Sequence, residues 1–255
     1  MIKKIVYLYL LINFIYSQGA WMMSNRTHPE LTWKTIKTEN FNIHFHEGLY
    51  DISLKGANMA EKIRPTLMKQ VGLDSLRRLD IIFTSEDEIA NGFATAANYT
   101  VIWVDQNNEA IELIDNKWLE HVLAHELQHL VFFNVTKSWL PFPMNTLYGR
   151  APLWFIEGLA EYYTEKWRPY RFDISHKYHV LKNSVHKIKD PHNDGFSKVL
   201  YFTDRFGDET LIEILCSCTN SEIEQMQDLY NQTEGNTLSQ DISKQLMPSD
   251  ILRAT

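Results

Sequence analysis

Trp118-Leu119-Glu120-His121-Val122-Leu123-Ala124-His125-Glu126-Leu127-Gln128-His129-Leu130-Val131 is the stretch on which the reading of this chain turns. From about residue 116 the apolar residues recur with helical period. Trp118, Leu119, Val122, Leu123, Leu127, Leu130 and Val131 give the segment a broad apolar face. Upstream the pattern is different. Phe41-Asn42-Ile43-His44-Phe45-His46 alternates apolar and polar residues, as a half-buried strand does, and residues 79–84 and 99–105 are β-branched and aromatic runs that read as two more strands. Between them, residues 48–72 carry Ala57, Ala60, Ile63 and Leu67 on one helical stripe, with Pro65 removing a hydrogen bond and able to split the helix. Downstream, a loop through Pro141 and Pro143 leads to Pro152, a residue suited to the first turn of a helix, so 152–167 reads as a second helix. Residues 171–190 are locally basic, and 195–218 and 221–230 look helical. Strands first and helices afterwards predict an α+β fold, with a mixed N-terminal sheet carrying the first helix and a mainly helical lobe behind it.

The whole chain sets the bounds. Its 255 residues suit one substantial domain, with a hydrophobic fraction of 44% and a charged fraction of 22% that are ordinary for a globular protein. A formal net charge of −7 argues against non-specific binding to nucleic acid or anionic membranes. Lys3 and Lys4, the apolar run 5–16 and the small residues of Ser17-Gln18-Gly19 read as an export signal ending before Ala20. The apolar run is shorter than the roughly 20 residues a spanning helix needs. Its removal takes away two lysines, leaving −7 − 2 = −9. Residues 1–19 are thus expected to be a signal peptide, 20–170 a catalytic core and 171–255 a helical lobe of the same unit, exported to the periplasm or the exterior. Cys216 and Cys218 stand too close for an unstrained disulfide and offer no four-ligand metal framework.

His125 and His129 lie one helical turn apart and can present two neutral imidazole nitrogens to one ion. Glu126 leaves the helix about 100° from His125, beside the ion rather than on it, where a carboxylate can take a proton from metal-bound water. Zinc suits imidazole and carboxylate ligands, and three protein ligands leave a fourth position for water. The metzincin extension is excluded, because Phe132 and Val135 occupy the positions that class gives to glycine and histidine. The third ligand must come from elsewhere. In Trp154-Phe155-Ile156-Glu157-Gly158-Leu159-Ala160-Glu161-Tyr162, Glu157 is the best placed, with Gly158 allowing close helix approach. Glu161, one turn on, is suited to accept a hydrogen bond from the far nitrogen of a ligand histidine.

These two segments together resemble the gluzincin metallopeptidases, and most of all the bacterial exported peptidases of the MA-like type. The resemblance implies a zincin-like (thermolysin-like) fold, one Zn2+ held by His125, His129 and Glu157, and Glu161 as the partner behind the ligands. It also covers residues 41–46, Asn91-Gly92-Phe93-Ala94-Thr95 and 195–207. Longer members carry a β-propeller with no counterpart here, so a stand-alone peptidase or part of a longer chain is expected. Asn91, Gly92, Phe93 and Ala94 have two readings: an edge strand that pairs with the substrate backbone, or an ordinary Asn-Gly turn.

The expected reaction is peptide-bond hydrolysis, probed most directly at Glu126 as general base and then acid. An oxyanion donor is expected among Tyr201, His176, His179 and His186. Tyr201 is preferred because it lies on an apolar helical stretch. Serine, cysteine and phosphate-loop nucleophile motifs are absent from the sequence. The expected partners are a peptide or protein substrate and an envelope protein, with no nucleic acid and no membrane span after signal removal. An endopeptidase is preferred over an aminopeptidase, since no segment anchoring a free N-terminus precedes the helix. The alternative is a non-catalytic zincin-fold module that grips peptides or an envelope partner.

Overall fold

A computed structural model describes residues 30–86, 92–104, 117–135, 152–167, 172–184 and 187–208. The expected export signal, Asn91, His186, both cysteines and everything after residue 208 lie outside these residues.

Five strands form one mixed sheet in the order β1-β2-β3-β5-β4. They are β1 (Trp33–Lys37), β2 (Phe41–His46), β3 (Leu79–Thr84), β4 (Gly92–Thr95) and β5 (Tyr99–Trp103). The central pairs β2/β3 and β3/β5 are parallel, and both outer pairs are antiparallel. Phe41, Ile43 and Phe45 of β2 pair in register with Leu79, Ile81 and Phe83 of β3 and point into the core. The helix α1 (Tyr50–Gln70) is the crossover between those parallel strands, and it packs on β2. It runs unbroken through Pro65. That residue sits on the exposed face, where water can satisfy the carbonyl its ring leaves without a donor, while Ala57, Ala60, Ile63 and Leu67 hold the other face in the core.

Among the described residues four more α-helices follow: α2 (Trp118–Val135), α3 (Leu153–Thr164), α4 (Asp173–Leu181) and α5 (Pro191–Phe206). A 3-10 turn, Glu165–Trp167, ends α3. The architecture is therefore α+β. α2 is buried on nearly every side, packed against α1, α3, β4 and β5, which explains why its sequence is apolar well beyond a single stripe. α5 begins earlier than its apolar pattern suggests. Asp190 caps it by accepting from the Asn193 backbone N–H, and Pro191 fills the first turn. It ends at Gly207, whose φ of 84° is a left-handed conformation that favours glycine. No described helix is long and apolar enough to cross a membrane.

Candidate metal centre

α2 enters the middle of the molecule with His125, Glu126 and His129 on adjoining faces, each less than a tenth exposed. α3 crosses it and brings Glu157 across from the two imidazoles. The Nε2 atoms of His125 and His129 are 3.1 Å apart, and Glu157 Oε2 lies 3.3 Å from each of them. That oxygen is buried yet makes no hydrogen bond. Three atoms that carry lone pairs when deprotonated thus converge on one point, an arrangement that suits a cation.

A third helix reaches the same point. His192, in the first turn of α5, has its Nδ1 3.4 Å from Glu157 Oε2 and 2.9 Å from Glu161 Oε1. Its ring lies 5.5 Å from that of His125 and stacks on Phe172. His125, Glu157 and His192 therefore form a group that could hold a metal ion. His129 is a further imidazole at the same point. Its Nε2 faces both His125 and Glu157 at close range, whereas Nδ1 of His192 is engaged with Glu161.

Two glycines bring α3 and α5 this close. A Cβ on Gly158 would lie 2.7 Å from Gly195 Cα, and one on Gly195 would lie 2.7 and 2.8 Å from the nitrogen and Cα of Gly158. The helices touch backbone to backbone, and only glycine at both positions permits it. Glu157 flanks one of these residues and His192 precedes the other by about one turn. Glu161 sits between the imidazoles, with Oε1 3.3 Å from His125 Nδ1 as well as 2.9 Å from His192.

A glycine also sets Glu126. Gly92 opens β4, the end strand of the sheet, and a Cβ there would lie 2.7 Å from Glu126 Oε1 and 2.8 Å from Cδ. Of the two readings of residues 91–94, the strand is the one observed for Gly92, Phe93 and Ala94. β4 pairs antiparallel with β5, and the chain reverses through a turn in which Asn98 has φ 69°.

The electrostatics follow from burial and from the number of carboxylates. Burial alone pushes the His125 imidazole down. Its contact with Glu157 and the charges of Glu161, Glu126 and Glu157 outweigh that and hold it up at about 9. Burial raises Glu157, but the imidazoles of His125 and His129 win and keep its carboxyl far below the usual carboxylate range. Glu126 goes the other way: burial pushes it up, and the pull of His125 and His129 does not cancel this. His192 is raised because its bond to Glu161 and the charge of Glu157 exceed the cost of burial.

Of the expected oxyanion donors, Tyr201, His176 and His179 make other contacts, and His186 lies outside the described residues. Tyr201 is buried on α5, but nine residues beyond His192, which puts it half a rotation around the helix and about 13 Å along it. Its hydroxyl accepts a hydrogen bond from Arg205 at 2.7 Å. His176 pairs with the Ser197 hydroxyl at 2.7 Å and His179 with that of Ser184 at 3.0 Å. The histidine that the structure adds beside Glu157 and Glu161 is His192. The signal that could have found it is a helix start, Asp190-Pro191, one turn ahead of a glycine in a helix that must cross α3.

A family model for annexins matches residues 203–247, too small a part of the chain to place it in that family. No zincin or peptidase family matches, and the resemblance to the gluzincin and MA-like peptidases is corrected accordingly. The physical reason is that only its two short windows around His125 and Glu157 are specific, while the matches at 41–46, 91–95 and 195–207 are each weak. A family is defined by agreement over the whole core, and short helical motifs recur without it. No curated protein matches the sequence.

Proposed function

We propose that the protein is a zinc-dependent hydrolase of peptide bonds, with His125, His129 and Glu157 as the metal ligands and Glu126 as the general base. The observation that carries this is the triangle of 3.1, 3.3 and 3.3 Å between the three ligand atoms. Zinc bonds of about 2.0–2.1 Å at tetrahedral angles keep ligand atoms about 3.3–3.4 Å apart. The donor set fits as well, two imidazoles and one carboxylate. Glu161 Oε1, 3.3 Å from His125 Nδ1, stands where an outer partner would orient a ligand imidazole. At the level of architecture, a mixed sheet whose antiparallel end strand borders the histidine helix is compatible with a zincin-like fold.

A bound zinc supplies a polarised carbonyl and a water acidified towards neutrality. The chain's own residues do the rest. Glu126, whose carboxyl is raised by burial and so holds a proton more readily than an exposed glutamate, accepts the proton of the attacking water. The same carboxyl then delivers it to the leaving amine, and the carboxylate returns. β4 gives an extended substrate a strand to pair with, and Gly92 lets β4 itself lie against Glu126. With residues 1–19 read as an export signal, the substrates are proteins outside the cytoplasm. Glu126→Gln tests the reading: zinc should be retained at one ion per chain, and digestion of casein by the native protein should be lost. Native protein that binds zinc and cleaves nothing would sink it.

One observation favours a second reading. His192 lies close enough to Glu157 to become a fourth protein ligand, which would close the site and leave a structural zinc in a binding module. His192→Ala separates the two. A closed site loses zinc affinity by orders of magnitude, whereas an open site keeps its zinc.

A further inference from the structure

We infer that the outward face of α4 is a docking surface for an anionic lipid bilayer, with Ile174, Tyr178 and Leu181 entering the interface and Lys177 and Lys182 meeting its phosphates. The inference does not depend on the hydrolytic reading. α4 already uses one face for the core, where His176 and Val180 are each 2% exposed. Its opposite face is apolar too. Ile174, Tyr178 and Leu181 are 66%, 57% and 76% exposed. At about 100° per residue they fall within an arc of about 60°. A large apolar side chain exposed singly is ordinary, but three on one arc of a nine-residue helix make a patch.

The charges say what covers it. Measured around the helix from Ile174, Lys177 lies about 60° to one side and Lys182 about 80° to the other. An apolar ridge between two lysine rails is the pattern of a helix lying in the plane of a membrane interface, where long lysine side chains reach back to the headgroups. The outer face of a single helix is convex, which fits a flat surface rather than an inserted peptide. Lys187 and Lys189 follow the helix and are exposed. Over residues 172–190 four lysines face two aspartates, a balance of 4 − 2 = +2 in a chain whose total is −7. At physiological ionic strength charges are screened over about 8 Å, so the local balance weighs more at the ridge than the total charge of the chain. Net charge alone argues against anionic membranes; the local balance around α4 argues for one. Phe172, the residue before α4, stacks on His192 at 6.3 Å, so docking would hold the candidate metal centre beside the bilayer.

The test is co-sedimentation of the full chain with phosphatidylcholine vesicles, with and without phosphatidylglycerol. Native protein should bind the anionic vesicles, release them as salt rises, and ignore phosphatidylcholine alone. Lys177→Ala/Lys182→Ala should weaken binding about 30-fold, the effect of two lysines at an anionic surface. Ile174→Ser/Tyr178→Ser/Leu181→Ser should abolish it, with circular dichroism confirming the fold; if that variant does not fold, the lysine pair carries the test. Failure of the native chain to bind anionic vesicles overturns the inference. So does binding unchanged in the lysine variant, which would assign the membrane contact to another segment such as residues 5–16. Self-association through the ridge without vesicle binding overturns it as well.

Discussion

Gly158→Ala tests whether the α3/α5 crossing is what assembles the metal centre. The added Cβ would stand 2.7 Å from Gly195 Cα and closer still to that residue's carbonyl. Carbon atoms in good contact sit about 3.5–4.0 Å apart, so the helices must part by roughly 0.8 Å or more. Both obstacles are backbone, which no rotamer change can relieve. The cost in stability should be that of an overpacked core, about 1–3 kcal/mol. For a chain of this size that lowers the melting temperature of the metal-free protein by roughly 2–12 °C. The larger consequence falls on the metal. Glu157 is the neighbouring residue, and ligand positions tolerate only about 0.2 Å. A displacement several times that size should lower zinc affinity at least as much as losing an outer-shell partner does, about 10–100-fold. Competition against a chelating dye measures the affinity, and calorimetry with and without zinc measures the stabilisation it brings. A Gly158→Ala protein that melts like the native one and binds zinc equally well would refute the reasoning, because the crossing would then be slack.

Three further outcomes follow from the same geometry. Gly92→Ala should retain zinc and lose activity by at least tenfold, since its Cβ displaces only the Glu126 carboxylate; a parallel loss of zinc would show that β4 supports the ligands too. Glu126→Gln should raise the melting temperature of the metal-free protein at pH 7. The folded carboxyl is raised above its unfolded value of 4.5, so ionising it costs the folded state stability that appears as pH rises from that value. The advantage of glutamine should therefore shrink as pH falls through the carboxylate range, and a gain independent of pH would point to packing instead. Zinc affinity should rise about tenfold per pH unit between the unfolded imidazole value of 6.5 and about 9, because the ion must displace the proton held by His125. The stability this proton gives the metal-free protein is complete below 6.5 and lost as pH passes about 9. Calorimetric titrations in two buffers of different ionisation enthalpy count the proton released.

What the sequence discloses is what its periodicity encodes. The strands at 41–46, 79–84 and 99–103 announce themselves because alternation and β-branching report a buried face directly. β1 does not: Trp33-Lys34-Thr35-Ile36-Lys37 is a mostly exposed edge strand, held by pairing with β2 rather than by a buried side-chain row. His125, His129 and Glu157 are legible because each pair of ligand and neighbour sits at helical spacing. His192 is not, since it lies far along the chain in a polar segment and arrives only because two glycines let α5 cross α3. Tyr201 has apolar surroundings, but apolarity does not fix helical phase, and nine residues set it half a rotation from His192.

The same comparison bears on how the centre could work. Its ligands could be replaced in kind by many glutamates and histidines, but the contacts that hold them in place are backbone contacts with no side chain to adjust. Gly158 and Gly195 fix the distance between Glu157 and the histidines, and Gly92 fixes the carboxylate beside them. Glu161 then ties the arrangement together, facing His125 on one side and bonding His192 on the other. Because one carboxylate serves both imidazoles, His192 could move onto a metal only by giving up its 2.9 Å bond and leaving Glu161 buried with one partner fewer. Giving up a charge-assisted hydrogen bond of that kind costs about 1.5–3 kcal/mol. The bond between Glu161 and His192 therefore favours three protein ligands over four, which is the arrangement that leaves room for water.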